Sequence, residues 1–475
     1  MRLSSAPQFL AVVAGILTAS HVDLEVEVLV VTAICAAVAM FCFEGLRGVF
    51  RVLMFFALAA TIHTCQRPPK IPLQVALDMN ITISEEGFLR MSHRTYTAEA
   101  TVENLSPFMV EVRTPAEFVM HRGDNFNIRA KIHPFSSDDT PYSRNRERLG
   151  YRGIVRATPR NVTDFTTANR PLLQQRILES VYSIIPPSKG RAVALAIGIG
   201  YRGEIDPTTT ATFNICGLSH LLAVSGLHVG IVLLLLSALF RPFCLVWRGF
   251  ELRIAMTLIS IWIYVWMCGM APSAVRAATL FSVVLISKLF ADRVSLLNSL
   301  IWALTIMLLI HPAHLYDVGL QLSAIAVASI SLYAVPLIRI ARGNNVIINE
   351  LIVMMSVSMI ATITLQPLVA MTFGNISFWA IFLNPIAIFL GNTALALILI
   401  SAALPMPFQN YLAELSTLCS DLLIWIAEQS SKLGFGYADV QVDGATVAAI
   451  YAAIAIATLF LAGFRRCKGR NLEDI

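Results

Sequence analysis

"GLSHLLAVSGLHVGIVLLLLSALF", residues 217–240, is apolar enough to enter lipid, yet it carries His220, Ser225, His228 and three glycines before Ile231. A spanning helix ordinarily fills such positions with Leu, Val and Ala. The helical pattern begins at Pro207, where Asp206 stands as an N-cap and proline takes the first helical position. It runs to Phe240, longer than one crossing needs. Ser225-Gly226 falls near its middle, and Gly226 with Gly230 forms a small-xxx-small pair that permits close helix contact. Polar residues and glycine inside membrane helices are tolerated where protein or a water-filled path covers them. The stretch therefore reads as a bent or broken helix lining a cavity, with His220, Ser225 and His228 facing it. The competing reading is tight packing with satisfied histidines. Ionisable groups within a membrane favour the first.

The rest of the chain repeats the apolar theme. Of its 475 residues 56% are hydrophobic and 14% charged, fewer charges than a soluble protein carries. Apolar segments occur near 7–20, 28–43, 49–64, 213–240, 254–270, 274–290, 296–310, 318–337, 346–372, 377–403, 411–430 and 445–464. The fold class is thus a polytopic α-helical membrane protein with about twelve crossings. The first segment also fits a secretory signal, which leaves the later topology intact. Basic residues set the direction, because short cytoplasmic loops retain them. Arg47 and Arg51; Arg241, Arg248 and Arg253; Lys288 and Arg293; Arg339 and Arg342; and Arg465, Arg466, Lys468 and Arg470 fall on alternate connections, while the opposite loops hold only Lys432. Both termini are expected in the cytoplasm, with the polar section from Gln66 to about Pro207 outside. The eight cysteines form no CxxC pair, and no GxxxxGK[ST] or HExxH motif is present, so nothing announces a nucleotide motor or a zinc protease.

From about 75 to 157 the period changes to two. In "TYTAEATVE" Tyr96, Ala98, Ala100 and Val102 alternate with polar residues, as do Phe126, Ile128, Ala130 and Ile132 in "FNIRAKI". With further candidates at 75–83, 107–113 and 151–157 and "RGD" (122–124) as a turn, five short strands suit a small closed barrel of OB type, inserted outside the membrane. "YSRNRERLGYRGIVRATPR" then places Arg144, Arg146, Arg148, Arg152, Arg156 and Arg160 beside Tyr142 and Tyr151. Guanidinium groups and aromatic faces are what a single-strand groove needs. A solvated arginine-rich loop and a patch for anionic lipid remain as alternatives. After it, 173–184 has one apolar face, as in an interfacial helix, and "RAVALAIGIG" (191–200) is too short to span and reads as a surface or re-entrant piece.

"ALAIGIGYRGEIDPTTTATFNICGLSHLLAVSGLHVGIV" resembles the core signature of the ComEC family of competence channels, which pass transforming DNA across the inner membrane. "GMAPSAVRAATLF" (269–281), "HPAHLYDVGLQLSAIAVA" (311–328) and "FGNISFWAIFLNPIAI" (373–388) resemble its later segments, with Leu320 where the family often has Phe. The external domain is similar to the family's N-terminal OB domain. The resemblance implies a division into 1–65, N-terminal membrane helices; 66–165, the OB-like domain; 166–210, linker helices; 211–465, the channel domain; and 466–475, a cytoplasmic tail. Many members continue into a metallo-β-lactamase-like domain; here a short form without it is expected, so nuclease activity is not carried over. The implied partners are single-stranded DNA, a periplasmic or surface DNA receptor, a cytoplasmic motor or DNA-binding proteins, and the lipid bilayer, with homo-oligomerisation left open and no cofactor.

Within the membrane, Arg276 either meets phosphates or snorkels, and Asp317 and Gln321 share a helix face unless Asp317 caps its helix. Gln366-Pro367 and Asn384-Pro385 each place an amide where a helix breaks or kinks with local repair. The candidate lining is His220, Ser225, His228, Arg276, Asp317, Gln321 and Asn384, and the candidate DNA contacts are Arg144, Arg146, Arg148, Arg152 and Arg156. Two other functions compete: an intramembrane serine hydrolase using Ser225, with His228 on an adjacent face, and a small-solute transporter.

Overall fold

The computed structural model describes residues 5–470 apart from 23–24, 43–45, 68–75, 85–87, 90–92, 104, 136–140, 168–176, 180, 184, 291–294, 342–344, 434–435 and 441. Helices α1 (Ala6–His21), α2 (Val26–Cys42) and α3 (Arg47–Cys65) pack together at the N-terminus. Gly15 is what lets α1 lie against α3: a Cβ there would stand 2.4 Å from the Phe56 carbonyl oxygen, and backbone does not yield.

A separate sheet domain follows: β1 (Ala76–Ile83), β2 (Phe88–Leu89), β3 (His93–Thr101), β4 (Phe108–Pro115), β5 (Asn125–Lys131), α4 (Pro141–Arg148), β6 (Tyr151–Arg156) and β7 (Val162–Thr166). The strand order is β6-β4-β3-β1-β5-β7, with β2 paired to β3. Every pair is antiparallel except β4 with β6. Just past β5, His133 exchanges both backbone hydrogen bonds with Ile154 of β6, at 2.9 and 2.7 Å. Of the residues read as the inward face, Tyr96, Ala98, Ala100, Phe126, Ile128 and Ile132 are buried in one core with Met79, Ile81, Ile83, Val110 and Val112. Val102 and Ala130 pack against it partly buried, and Thr97, read on the opposite face, is buried as well. The 122–124 turn forms, with Gly123 at φ 86° and the Asp124 carboxylate accepting the His121 N–H. Strands β2 and β7 were not expected; β7 is mostly exposed and lacks the alternation that reveals a strand.

The helical bundle comprises α5 (Lys189–Ile199), α6 (Pro207–Ile215), a 3₁₀ turn (Ser219–Leu222), α7 (Gly226–Leu239), α8 (Gly249–Met267), α9 (Pro272–Phe290), α10 (Leu296–Ile310) and α11 (Val318–Ser329). A π turn (Ile330–Ala334) leads into α12 (Val335–Ala341), followed by α13 (Val346–Phe373), α14 (Trp379–Ser401), α15 (Phe408–Lys432) and α16 (Gly444–Arg470). Short strands β8 (Asn375–Ser377) and β9 (Tyr437–Asp439) pair between α13 and α14 and before α16.

Among the described residues six helices are long and apolar enough to cross a membrane, and five shorter apolar helices accompany them, including Gly226–Leu239. The segment expected at 411–430 lies in α15, which belongs to neither group. It is amphipathic, burying Ala413, Ser416, Ser420, Leu423 and Ala427 while carrying Glu414, Asp421 and Glu428.

The surface reading of 191–200 is wrong. From Gly190 to Ile199 every residue of α5 is buried, and the helix packs on α14 and α15. Small residues allow that approach: a Cβ on Gly198 would lie 2.7 Å from Ile398 Cγ2. Its buried Arg191 is neutralised by Glu204, so the helix enters the core without an unpaired charge.

Candidate functional site

The opening stretch is broken rather than bent. Asp206 caps α6 by accepting the Thr209 N–H. Burial opposes its charge, but the hydrogen bonds from Thr209 and Thr208 and the nearby Lys189 hold its carboxyl below the usual range. After α6 the chain turns at Gly217, at φ 71°, where a side chain would also meet Ala380 Cβ at 2.9 Å. The 3₁₀ turn follows, and the chain becomes extended at Ser225, the N-cap of α7. Ser225 Oγ accepts the His228 N–H at 3.3 Å, and His228 Nδ1 accepts the Ser225 N–H at 3.2 Å, a reciprocal capping box with histidine in place of the usual Glu or Gln. Ser273 of α9 donates to the Val224 carbonyl and pins the extended residues before the cap. Gly226 and Gly230 face Ala277 and Phe281 of α9 at ordinary contact range or slightly closer, which is the close approach the small-xxx-small pair foretold. His228 is fully buried, and its Nε2 has no hydrogen-bond partner among the described residues. His220 is exposed.

Arg276 and Asp317 come together from α9 and the start of α11, with Nη1 3.2 Å from Oδ2. Asp317 also caps α11, its Oδ1 accepting the Gly319 N–H at 2.9 Å, so the two roles weighed for it coexist. Gln321, one turn on, donates to the Leu315 carbonyl at 2.9 Å. Asn384 is half-buried in α14 with Oδ1 buried and unpartnered among the described residues. Neither amide-proline pair breaks its helix: α13 runs through Pro367 and α14 through Pro385. Gln366 Nε2 instead donates to the Ser377 carbonyl, at 2.8 Å.

The arginine segment forms helix α4 followed by β6, not a loop, and its five candidates divide. Arg146 lies 4.6 Å over the Tyr151 ring and 3.9 Å from Glu111, which is 1% exposed and also receives Arg113 Nε at 2.8 Å. Arg152 is half-buried, and burial lowers its guanidinium from the ordinary value. Arg144, Arg148 and Arg156 are exposed. Arg148 stands 5.8 Å over the ring of Tyr316, which precedes Asp317, so α4 reaches the bundle beside the Arg276–Asp317 pair.

Sequence reasoning missed Glu111, Tyr316 and the cluster at the start of α5, where Lys189 meets Asp206 at 3.8 Å and Glu428 at 3.3 Å and Arg191 lies over Tyr182. The Arg146–Glu111, Arg148–Tyr316 and Lys189–Glu428 partners lie far apart in the chain, so no local spacing exposes them. Among the described residues no group of His, Cys, Asp or Glu is arranged to hold a metal.

Residues 197–465 match the model of the competence protein family. The chain is 32% identical over 151 residues to ComE operon protein 3 of Bacillus subtilis (strain 168), a stretch covering 32% of this chain and 19% of that protein. It is 28% identical over 162 residues to the uncharacterized protein YcaI of Escherichia coli (strain K12), covering 33% and 22%. The chain therefore matches only about a fifth of the length of either relative. No solved structure matches.

Proposed function

Because the chain belongs to the competence protein family, we propose that this membrane protein is a channel that passes single-stranded DNA into the cytoplasm during natural transformation. The observation that carries the reading is the break at Ser225. Inside the family-matched region, an apolar segment is interrupted by a polar turn whose His220 is exposed. His220, Ser225 and His228 line the conduit, with Arg276, Asp317, Gln321 and Asn384 along it.

The sheet domain receives the strand outside, as an OB-like barrel. In support, β1 lies between β3 and β5, β4 runs parallel to β6, and the His133–Ile154 bridge brings β6, one end of the strand order, to the chain just past β5. Arg144, Arg148 and Arg156 supply exposed phosphate contacts, while Arg146 and Arg152 shape the surface that presents them. The protein sits in the cytoplasmic membrane in about twelve crossings, both termini inside, as the basic-loop asymmetry requires. With no nucleotide motif in the chain, a cytoplasmic motor or DNA-binding protein supplies direction, and a surface or periplasmic receptor supplies the strand.

The serine-hydrolase alternative has less support. The Ser225 hydroxyl accepts a backbone N–H, and the facing nitrogen of His228 accepts another, so neither engages the other as nucleophile and base. A transformation assay on a deletion strain tests the proposal. Loss of transformation, restored by the wild-type chain and not by one truncated before 207, is expected. Normal transformation without the protein sinks it.

A further inference from the structure

The capping box at Ser225 leaves one donor over. His228 Nδ1 accepts the Ser225 backbone N–H, so the neutral ring carries its proton on Nε2, which points away from that bond. Nε2 is enclosed, and no described residue accepts from it. The Ala223 carbonyl is near enough to act on the ring but is not placed to take this hydrogen bond. A buried N–H without an acceptor costs on the order of 1–3 kcal/mol, so Nε2–H calls for an acceptor from beyond the described residues.

The surroundings say which kind. The ring folds back over the first turn of α7, a helix of 14 residues whose leading N–H groups, on Gly226 and Leu227, have no intrahelical acceptor. That end of the helix is positively polarised, which favours an anionic oxygen. His220, exposed eight residues earlier on the same broken stretch, offers a second imidazole on the approach to the break. A neutral N–H holds an anion less firmly than Lys or Arg does, which suits a group that must move on. We infer that His228 Nε2–H donates to a non-bridging phosphodiester oxygen of the strand as it crosses the break. This inference rests on the conduit reading.

Two substitutions separate that contact from capping. His228→Asn keeps an acceptor near the Nδ1 position, within reach of the Ser225 N–H, and deletes the outward donor. His228→Gln keeps the box through Oε1, as Gln ordinarily does at this position, and still offers an N–H from the same amide. With the full chain in lipid vesicles at matched protein levels, entry of a fluorescent single-stranded oligonucleotide should fall about tenfold or more in His228→Asn and stay within about threefold of wild type in His228→Gln. The reverse order, or two variants equal to wild type, overturns the inference. A second arm follows the Nε2–H resonance of isotope-labelled histidine in the full chain. Dimethyl phosphate should shift it and neutral trimethyl phosphate should not. No shift with dimethyl phosphate means that the site holds an ordered water only, and the inference fails. If wild-type vesicles admit no oligonucleotide while dimethyl phosphate still shifts Nε2–H, the conduit reading falls and the anion site stands.

Discussion

In the sheet domain the enclosed Glu111 carboxylate has Arg113 at 2.8 Å and Arg146 at 3.9 Å. In the bundle, His228 Nε2, Asn384 Oδ1 and Asn392 Oδ1 are buried with no hydrogen-bond partner among the described residues. Buried polar atoms in proteins are almost always paired, through protein or through water. The sheet domain pairs buried groups within itself, as Tyr96 does by accepting the buried Met120 N–H at 2.9 Å, and leaves Thr95 Oγ1 as an uncharged exception among the described residues. A helix bundle in lipid has no water at its outer face, so polar atoms left over in its interior need partners from within. The difference is that the sheet pairs its buried carboxylate twice, while the bundle leaves an imidazole and two amide oxygens unpartnered, the groups the proposed conduit would use.

The largest expected effect tests the first half of that contrast. Glu111→Ala leaves Arg146 and Arg113 without their carboxylate and should destabilise the sheet domain by about 3 kcal/mol. Hydrogen exchange on the full chain should speed up in β3, β4 and β6 and stay unchanged in α7–α14; equal loosening of the bundle would show that the two regions are one cooperative unit. Asp317→Ala removes both the Arg276 partner and the α11 cap and should cost about 2 kcal/mol in thermal unfolding. Asp317→Asn, which keeps the acceptor for Gly319, should recover part of that loss; no recovery would put the whole effect on the ion pair.

Ser225→Ala should cost about 1 kcal/mol, the worth of an N-cap, and leave most DNA entry intact. Complete loss of function, together with labelling of the wild type by a serine-reactive probe, would replace the channel with a hydrolase. The smallest effect on stability has the opposite sign. Asn384→Leu removes an unpartnered acceptor and should be neutral or stabilise by up to about 1 kcal/mol, while DNA entry in the same cells declines. A variant both destabilised and fully active would make Asn384 an ordinary structural amide and erase the contrast.

Much of this was legible along the chain. Alternation placed the five main strands, because side chains that project to opposite faces record burial at every second residue. Asp206-Pro207 and Ser225-Gly226 marked the helix start and the break, since a cap is made by residues within three positions of one another. Spacing also brought Asp317 and Gln321 to one end of α11. What the sequence could not disclose depends on distant partners. "RAVALAIGIG" has no amphipathic pattern, because α5 is covered by Asp421 and Ile398, more than two hundred residues away. Nothing near Arg146 indicates that Glu111 waits beneath it, nor anything near Arg276 that Asp317 lies across the interface. Local chemistry decided where the chain alternates, caps and breaks. Only the tertiary structure decided which charges are paired and which donor stays over, because both are set by the distance between residues that folding alone brings together.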